Sequence, residues 1–138
     1  MKRHYYLDKE IGKAYCFLQE GNRTYTGIAQ CHEDDWAFMS ERTGLQIAEI
    51  RAEIDALKNI RDNELIPVVK ALKHLQTNVK TSKFYNSKSY EARMLRRQVS
   101  IKENELIAVK QEIVALEEYL KGYIAAKNNY YASRDKKA

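Results

Sequence analysis

The chain has 138 residues with one Pro, five Gly, three His and two Cys, and 24 Lys and Arg against 19 Asp and Glu give it a net charge of +5. That length fits one domain, residues 1–138, and the scarcity of Pro and Gly beside abundant Lys, Glu, Ala, Leu and Ile argues against a β-sandwich or a disordered tail. Two cysteines are too few for a disulfide framework. No apolar run is long enough to span a bilayer, and Met1-Lys2-Arg3 leads into polar and aromatic residues rather than a signal-peptide core. A soluble intracellular protein with no membrane association is therefore expected, with Cys16 and Cys31 as small buried apolar residues.

Residues 1–40 read as an antiparallel β-meander and a short capping helix. Strands are expected at Arg3 to Asp8, Lys13 to Leu18 and Arg23 to His32. Gly12 supplies the positive φ of the first turn, and Glu20-Gly21-Asn22 marks the second. Tyr15 and Phe17 recur at strand spacing. Tyr25, Gly27, Ala29 and Cys31 share one face of the third strand, and the small residues among them imply that a helix packs close. The run from Cys31 to Met39, acidic and then aromatic around Trp36, reads as a short helix or turn. Cys31, His32, Glu33 and Asp35 are metal-capable types, but no second Cys/His cluster accompanies them and neighbouring strand positions point to opposite faces. They read as a strand end and a capped turn, with no metal.

Residues 41–138 read as a long helical hairpin whose tip lies near residues 80–90. Thr43 or Ser40 caps its first helix. Ile47, Ile50, Ile54 and Leu57 follow one heptad seam and Leu65, Val68, Leu72, Leu75 and Val79 another, joined by steps of four through Arg61. That stutter, with Pro67 just beyond it, predicts a bend between Asp62 and Pro67. The second helix is expected from about Ser89 to about Ala132, ending in a frayed, charged tail. Leu95, Val99, Leu106, Val109, Ile113, Leu116, Leu120 and Tyr123 form its seam, interrupted by Lys102. Ile107, Val114 and Ile124 widen that stripe beyond what one antiparallel helix covers. The fold class expected is thus α+β: a small N-terminal meander and a long C-terminal hairpin, interlocked in a coiled-coil-like dimer or higher homo-oligomer.

Charge concentrates at the tip. From Leu65 to Lys102 there are nine Lys and Arg residues and Glu91 alone, a net of +8, so the rest of the chain sums to −3. Phe84, Tyr85 and Tyr90 offer planar faces for bases, and Asn86 can hydrogen-bond a base edge or ribose. Arg93 and Arg97, four apart on one helical face, are spaced to grip one diphosphate. These six residues are the candidate ligand site. None of His4, His32 and His74 has a nucleophile and orienting acid at informative spacing, and no phosphate loop or dinucleotide fingerprint is present. Binding without catalysis, and with no cofactor, is the expectation.

The block Gly27-Ile28-Ala29-Gln30-Cys31-His32-Glu33-Asp34-Asp35, followed by the helix start Thr43-Gly44-Leu45-Gln46-Ile47-Ala48-Glu49-Ile50-Arg51-Ala52, resembles a pattern in small phage-encoded proteins. With the N-terminal sheet, the helical hairpin and this length, it is similar to the Thoeris anti-defence sponge family, by motif over residues 27–52 and by architecture elsewhere. The resemblance implies a phage protein working in the cytoplasm of the infected bacterium. It would sequester a cyclic ADP-ribose isomer made by TIR-domain defence enzymes, or a cyclic oligonucleotide, without cleaving it. It also implies a pocket between protomers lined by aromatic, Asn and Arg residues. Two alternatives stand beside it: a nucleic-acid-binding accessory protein whose tip tracks a phosphate backbone, and a helical adaptor that blocks a host protein.

Overall fold

A computed structural model describes residues 1–30 and 41–137, with side chains through residue 129. The order is β1 (Lys2–Asp8), β2 (Lys13–Glu20), β3 (Arg23–Gln30), α1 (Glu41–Ile60), a π-helical turn (Arg61–Leu65), α2 (Ile66–Lys80) and α3 (Tyr90–Lys137). This is an α+β chain, with an N-terminal three-stranded antiparallel sheet followed by helices. It divides into two compact units: Met1–Leu57 with Ile113–Ala138, and Lys58–Glu112. The acidic turn expected between Cys31 and Met39, with Trp36 and the metal-capable set, lies outside the described residues. Among the described residues no helix is long and apolar enough to cross a membrane.

In the first unit the strands lie in the order β1-β2-β3. Gly12 (φ 65°) and Gly21 (φ 60°) take the left-handed conformation that the two tight connections need. Asp8 Oδ1 accepts the backbone N–H of Glu10 and Ile11, which fixes the first turn. The register pairs Ala14 with Ala29, Cys16 with Gly27 and Leu18 with Tyr25. All six are buried, so this face is the core side of the sheet.

The buried stripe of α1 is Thr43, Gly44, Ile47, Ala48, Ala52, Ile54 and Ala56. It differs from the expected heptad seam: Ile47 and Ile54 are buried, but Ile50 and Leu57 are only half-buried. The ridge at steps of four, Gly44-Ala48-Ala52, is what meets the strands. A Cβ at residue 27 would fall 1.9 Å from the Ala48 carbonyl oxygen and 2.4 Å from the Ala52 nitrogen, so the helix backbone lies directly on Gly27.

The flanks of α1 hold the two edge strands. On one side Glu49 binds Arg3 and accepts the Tyr5 hydroxyl (2.8 Å), while Glu53 pairs with Arg3 at 3.2 Å. On the other, Arg51 Nη1 donates to the Ile28 carbonyl (2.7 Å) and Asp55 accepts the Thr26 N–H (3.3 Å), satisfying part of the open edge of β3. In the C-terminal stretch of α3, the Tyr123 hydroxyl donates to Gln46, and Ile113 and Leu120 are buried.

Two sequence expectations concern helix ends. Because α1 begins at Glu41, Thr43, one of the two cap candidates, lies inside its first turn and is buried rather than standing before it; the other, Ser40, lies outside the described residues. The last helix does not stop near Ala132; its backbone stays helical to Lys137.

In the second unit the bend expected at Asp62 to Pro67 is the π turn. Ile66 N–H bonds to the Arg61 carbonyl, five residues back rather than four. Pro67, the second residue of α2, lacks an N–H and would crowd the carbonyl four residues before it, and the wider π turn relieves both problems. The expected seam of α2 is rotated. Leu65 and Val69 are buried and Leu72, Gln76 and Val79 half-buried, whereas Val68 and Leu75 are 40% and 50% exposed. The seam of α3 follows expectation, with Val99 buried, Leu95, Leu106 and Val109 half-buried, and Ile107 exposed beside them.

Candidate functional site

The six candidate ligand residues fall on the connection between α2 and α3 and the first two turns of α3. The connection is built from local hydrogen bonds. Ser82 N–H donates to the Val79 carbonyl, Tyr85 N–H to the Ser82 carbonyl and Ser89 N–H to the Asn86 carbonyl. Asn86 Oδ1 accepts the Lys88 N–H at 2.9 Å, so its side-chain oxygen serves the turn and its amide NH2 is left for a ligand. Ser89 Oγ accepts the Ala92 N–H at 3.2 Å and thereby caps α3.

Phe84 is 89% exposed and Tyr90 65% exposed, an uncommon state for rings of this size, while Tyr85 is half-buried. Asn86, Arg93 and Arg97 are exposed. Tyr90, Arg93 and Arg97 stand at i, i+3 and i+7 on α3 and so share one helical stripe about 10 Å long. Phe84, Tyr85 and Asn86 reach that stripe only through the short turn that precedes it.

The electrostatics separate the turn from the helices below it. Lys73 pairs with Glu103 at 2.7 Å and Lys102 with Glu105 at 3.1 Å, so these two cations on the helix bodies are neutralised. Lys80, Lys83, Lys88, Arg93, Arg96 and Arg97 make no ion pair among the described residues, and Glu91 is the single acid between Val79 and Gln98. Six cations in twenty residues repel one another, with Glu91 the one anion among them.

A separate cleft of about 480 Å³ opens at the π turn, lined by Ile60, Glu64, Leu65, Val68, Lys102, Glu105, Ala108 and Val109. Lys102 interrupts the apolar seam at this place, and its amine is held by Glu105. The walls are mostly apolar and their one cation is already neutralised, so the cleft suits an anionic ligand less well than the turn does. Beside it, Arg61 Nε donates to Asp62 Oδ1 at 2.7 Å, and that hydrogen bond holds the Asp62 carboxyl below its ordinary range.

Sequence reasoning missed the outer face of the sheet. Ala14, Cys16 and Leu18 are the buried side of β2, so Tyr15 and Phe17 lie on the opposite face, half-buried. The signal was present: Ala14-Tyr15-Cys16-Phe17-Leu18 is apolar at every position, the mark of a strand with two apolar faces. No family model, curated protein or solved structure matches this chain, so the function must be argued from these residues alone.

Proposed function

We propose that the chain binds a nucleotide-like anion at the connection between α2 and α3 and holds it unaltered, acting as a sponge for a cyclic nucleotide signal in the bacterial cytoplasm. One observation carries this reading: six cations without an ion-pair partner among the described residues stand beside two exposed rings. Arg93 and Arg97 would fork onto phosphate oxygens, Phe84, Tyr85 or Tyr90 would stack on a base, and the Asn86 amide would mark a base edge. The segment from Val79 to Gln98 contains no His or Cys, and its residue types favour retention over turnover. The resemblance to the anti-defence sponge family points to a cyclic ADP-ribose isomer, or a cyclic oligonucleotide, as the ligand.

Tight retention requires that water be excluded, and an open turn does not exclude it. We infer that a second copy closes the site, with α2 and α3 forming an antiparallel hairpin that interlocks with its equivalent. The ion pair between Lys73 and Glu103 supports the hairpin. Exposed Val68, Leu75, Ile101, Ile107 and Val114 support the second copy, because one chain leaves their apolar surface in water.

The test is equilibrium binding of cyclic ADP-ribose isomers and cyclic dinucleotides to the wild type and to Arg93→Ala/Arg97→Ala. Loss of two charge-assisted contacts should weaken binding about hundredfold or more with helicity and oligomer mass unchanged. Unchanged affinity would place the site elsewhere.

A second reading is favoured by the openness of Phe84: the same turn tracks the backbone of a single-stranded nucleic acid. A salt series separates the two, since contact with several phosphates makes affinity fall steeply with salt, and an enclosed small ligand loses far less.

A further inference from the structure

The outer face of the sheet carries an aromatic cluster that the turn-based reading does not use. The register sets His4 opposite Phe17 and Tyr6 opposite Tyr15, with Thr26 and Ile28 completing those rungs on β3. Four rings thus occupy two adjacent rungs. Tyr15 and Phe17 are nearly parallel, 4° between planes with centroids 6.0 Å apart, and Tyr6 leans on Tyr15 at 5.9 Å and 43°. Tyr6 remains 57% exposed and Ile28 44% exposed.

We propose that this face is a stacking platform for the bases of single-stranded nucleic acid. Its chemistry fits that occupant in three ways. Rings preordered by their neighbours offer planar surface with little further loss of freedom, and stacking tolerates any base. The same face carries Lys2 near one end, opposite Gln19, for phosphates, and Lys13 near the other, opposite Asp8. Its one acid, Asp8, is engaged by the N–H groups of Glu10 and Ile11 in the turn.

Size argues against a second copy as the occupant. Three strands of this length present a face of about 400 Å², roughly half of what each partner buries in a stable protein interface. A short run of bases needs no more than the rings. Duplexes, whose base faces are already stacked on each other, should bind poorly.

The experiment is fluorescence anisotropy with labelled ten-nucleotide single strands and the matching duplex, on the full chain and on two variants. Tyr15→Thr/Phe17→Thr keeps strand-forming residues and leaves the buried face intact. It should weaken single-strand binding about tenfold or more, with an unchanged circular-dichroism spectrum, and the same fold loss should appear when the ring changes are combined with Arg93→Ala/Arg97→Ala. If the double variant fails to fold, Tyr6→Thr, at the exposed edge of the cluster, provides the same reading with a smaller loss. Equal affinity for duplex and single strand would overturn the proposal, as would single-strand affinity indifferent to the ring variants. Halving of the oligomer mass by Tyr15→Thr/Phe17→Thr without any change in nucleic-acid binding would also overturn it, because the face would then be a contact between copies. Because the ring variants leave the turn untouched, failure here would not remove the anion site at Arg93 and Arg97.

Discussion

Gly27 and Ala48 touch backbone to backbone: a methyl group on residue 27 would lie 1.9 Å from the Ala48 carbonyl oxygen, closer than any side chain can approach. This contact sets the depth at which α1 seats on the sheet, and through it the reach of Glu49 to Arg3 and Tyr5. Gly27→Ala should therefore cost about 3 kcal/mol or more, and Gly27→Val should not fold stably, as read by chemical denaturation. A loss below about 1 kcal/mol for Gly27→Ala would mean that α1 does not sit on this residue.

The π turn adds one residue between two regular helices. Deleting exposed Asn63 together with Pro67→Ala should let the segment close as an ordinary α-helix, with a change in melting temperature of a few degrees. Deleting Arg51 instead would rotate Ala52, Ile54 and Ala56 by roughly 100° out of the core, and should cost several kcal/mol. Similar losses from both deletions would contradict the π-turn assignment.

Tyr5 introduces an alkaline dependence. The hydrogen bond from its hydroxyl to Glu49, with burial and the Glu49 charge behind it, raises the Tyr5 pKa above its ordinary value. A raised phenol binds its proton more tightly in the folded chain. Its contribution is whole below about pH 10 and is lost as pH rises through the folded value. Burial of Cys16 raises its thiol pKa and acts in the same direction from about pH 8.5. Tyr5→Phe should cost under about 1 kcal/mol at neutral pH, because the group is half exposed, and should make the alkaline loss of stability shallower. An unchanged alkaline slope would show that Tyr5 does not report on Glu49.

Ile107 and Val114, seven residues apart on α3 and 51% and 53% exposed, are expected to meet a second chain. Ile107→Glu/Val114→Lys should halve the mass measured by light scattering and lower the melting temperature in proportion. A wild-type chain that is monomeric at micromolar concentration would remove the enclosed site.

The sheet was legible because its signals are local. Gly12 and Gly21 stand where the chain must take positive φ, and Tyr25, Gly27 and Ala29 alternate with polar or exposed neighbours. The bend was legible because a stutter and Pro67 coincide. The buried ridge of α1 was not: heptad spacing selects the large Ile50 and Leu57, whereas a glycine in the facing strand lets Gly44, Ala48 and Ala52 make the contact. On α2, Val68 reads as seam by spacing but forms a wall of the cleft at the π turn. The outer rings of β2 were hidden by their own neighbours, since a strand apolar on both faces does not announce which face is buried. At the turn, sequence supplied the residue types and the Arg93–Arg97 spacing. The use of the Asn86 oxygen by Lys88 N–H depends on the conformation of the turn, which residue types do not specify.

The central claim is that the turn retains a nucleotide without altering it, and mass spectrometry of ligand released by heat tests this most directly. The protein would be incubated with cyclic ADP-ribose isomers and cyclic oligonucleotides, freed of unbound ligand and heated. One intact compound recovered from the wild type, and none from Arg93→Ala/Arg97→Ala, is the predicted result. Recovery of no compound, or of a cleaved one, would contradict it.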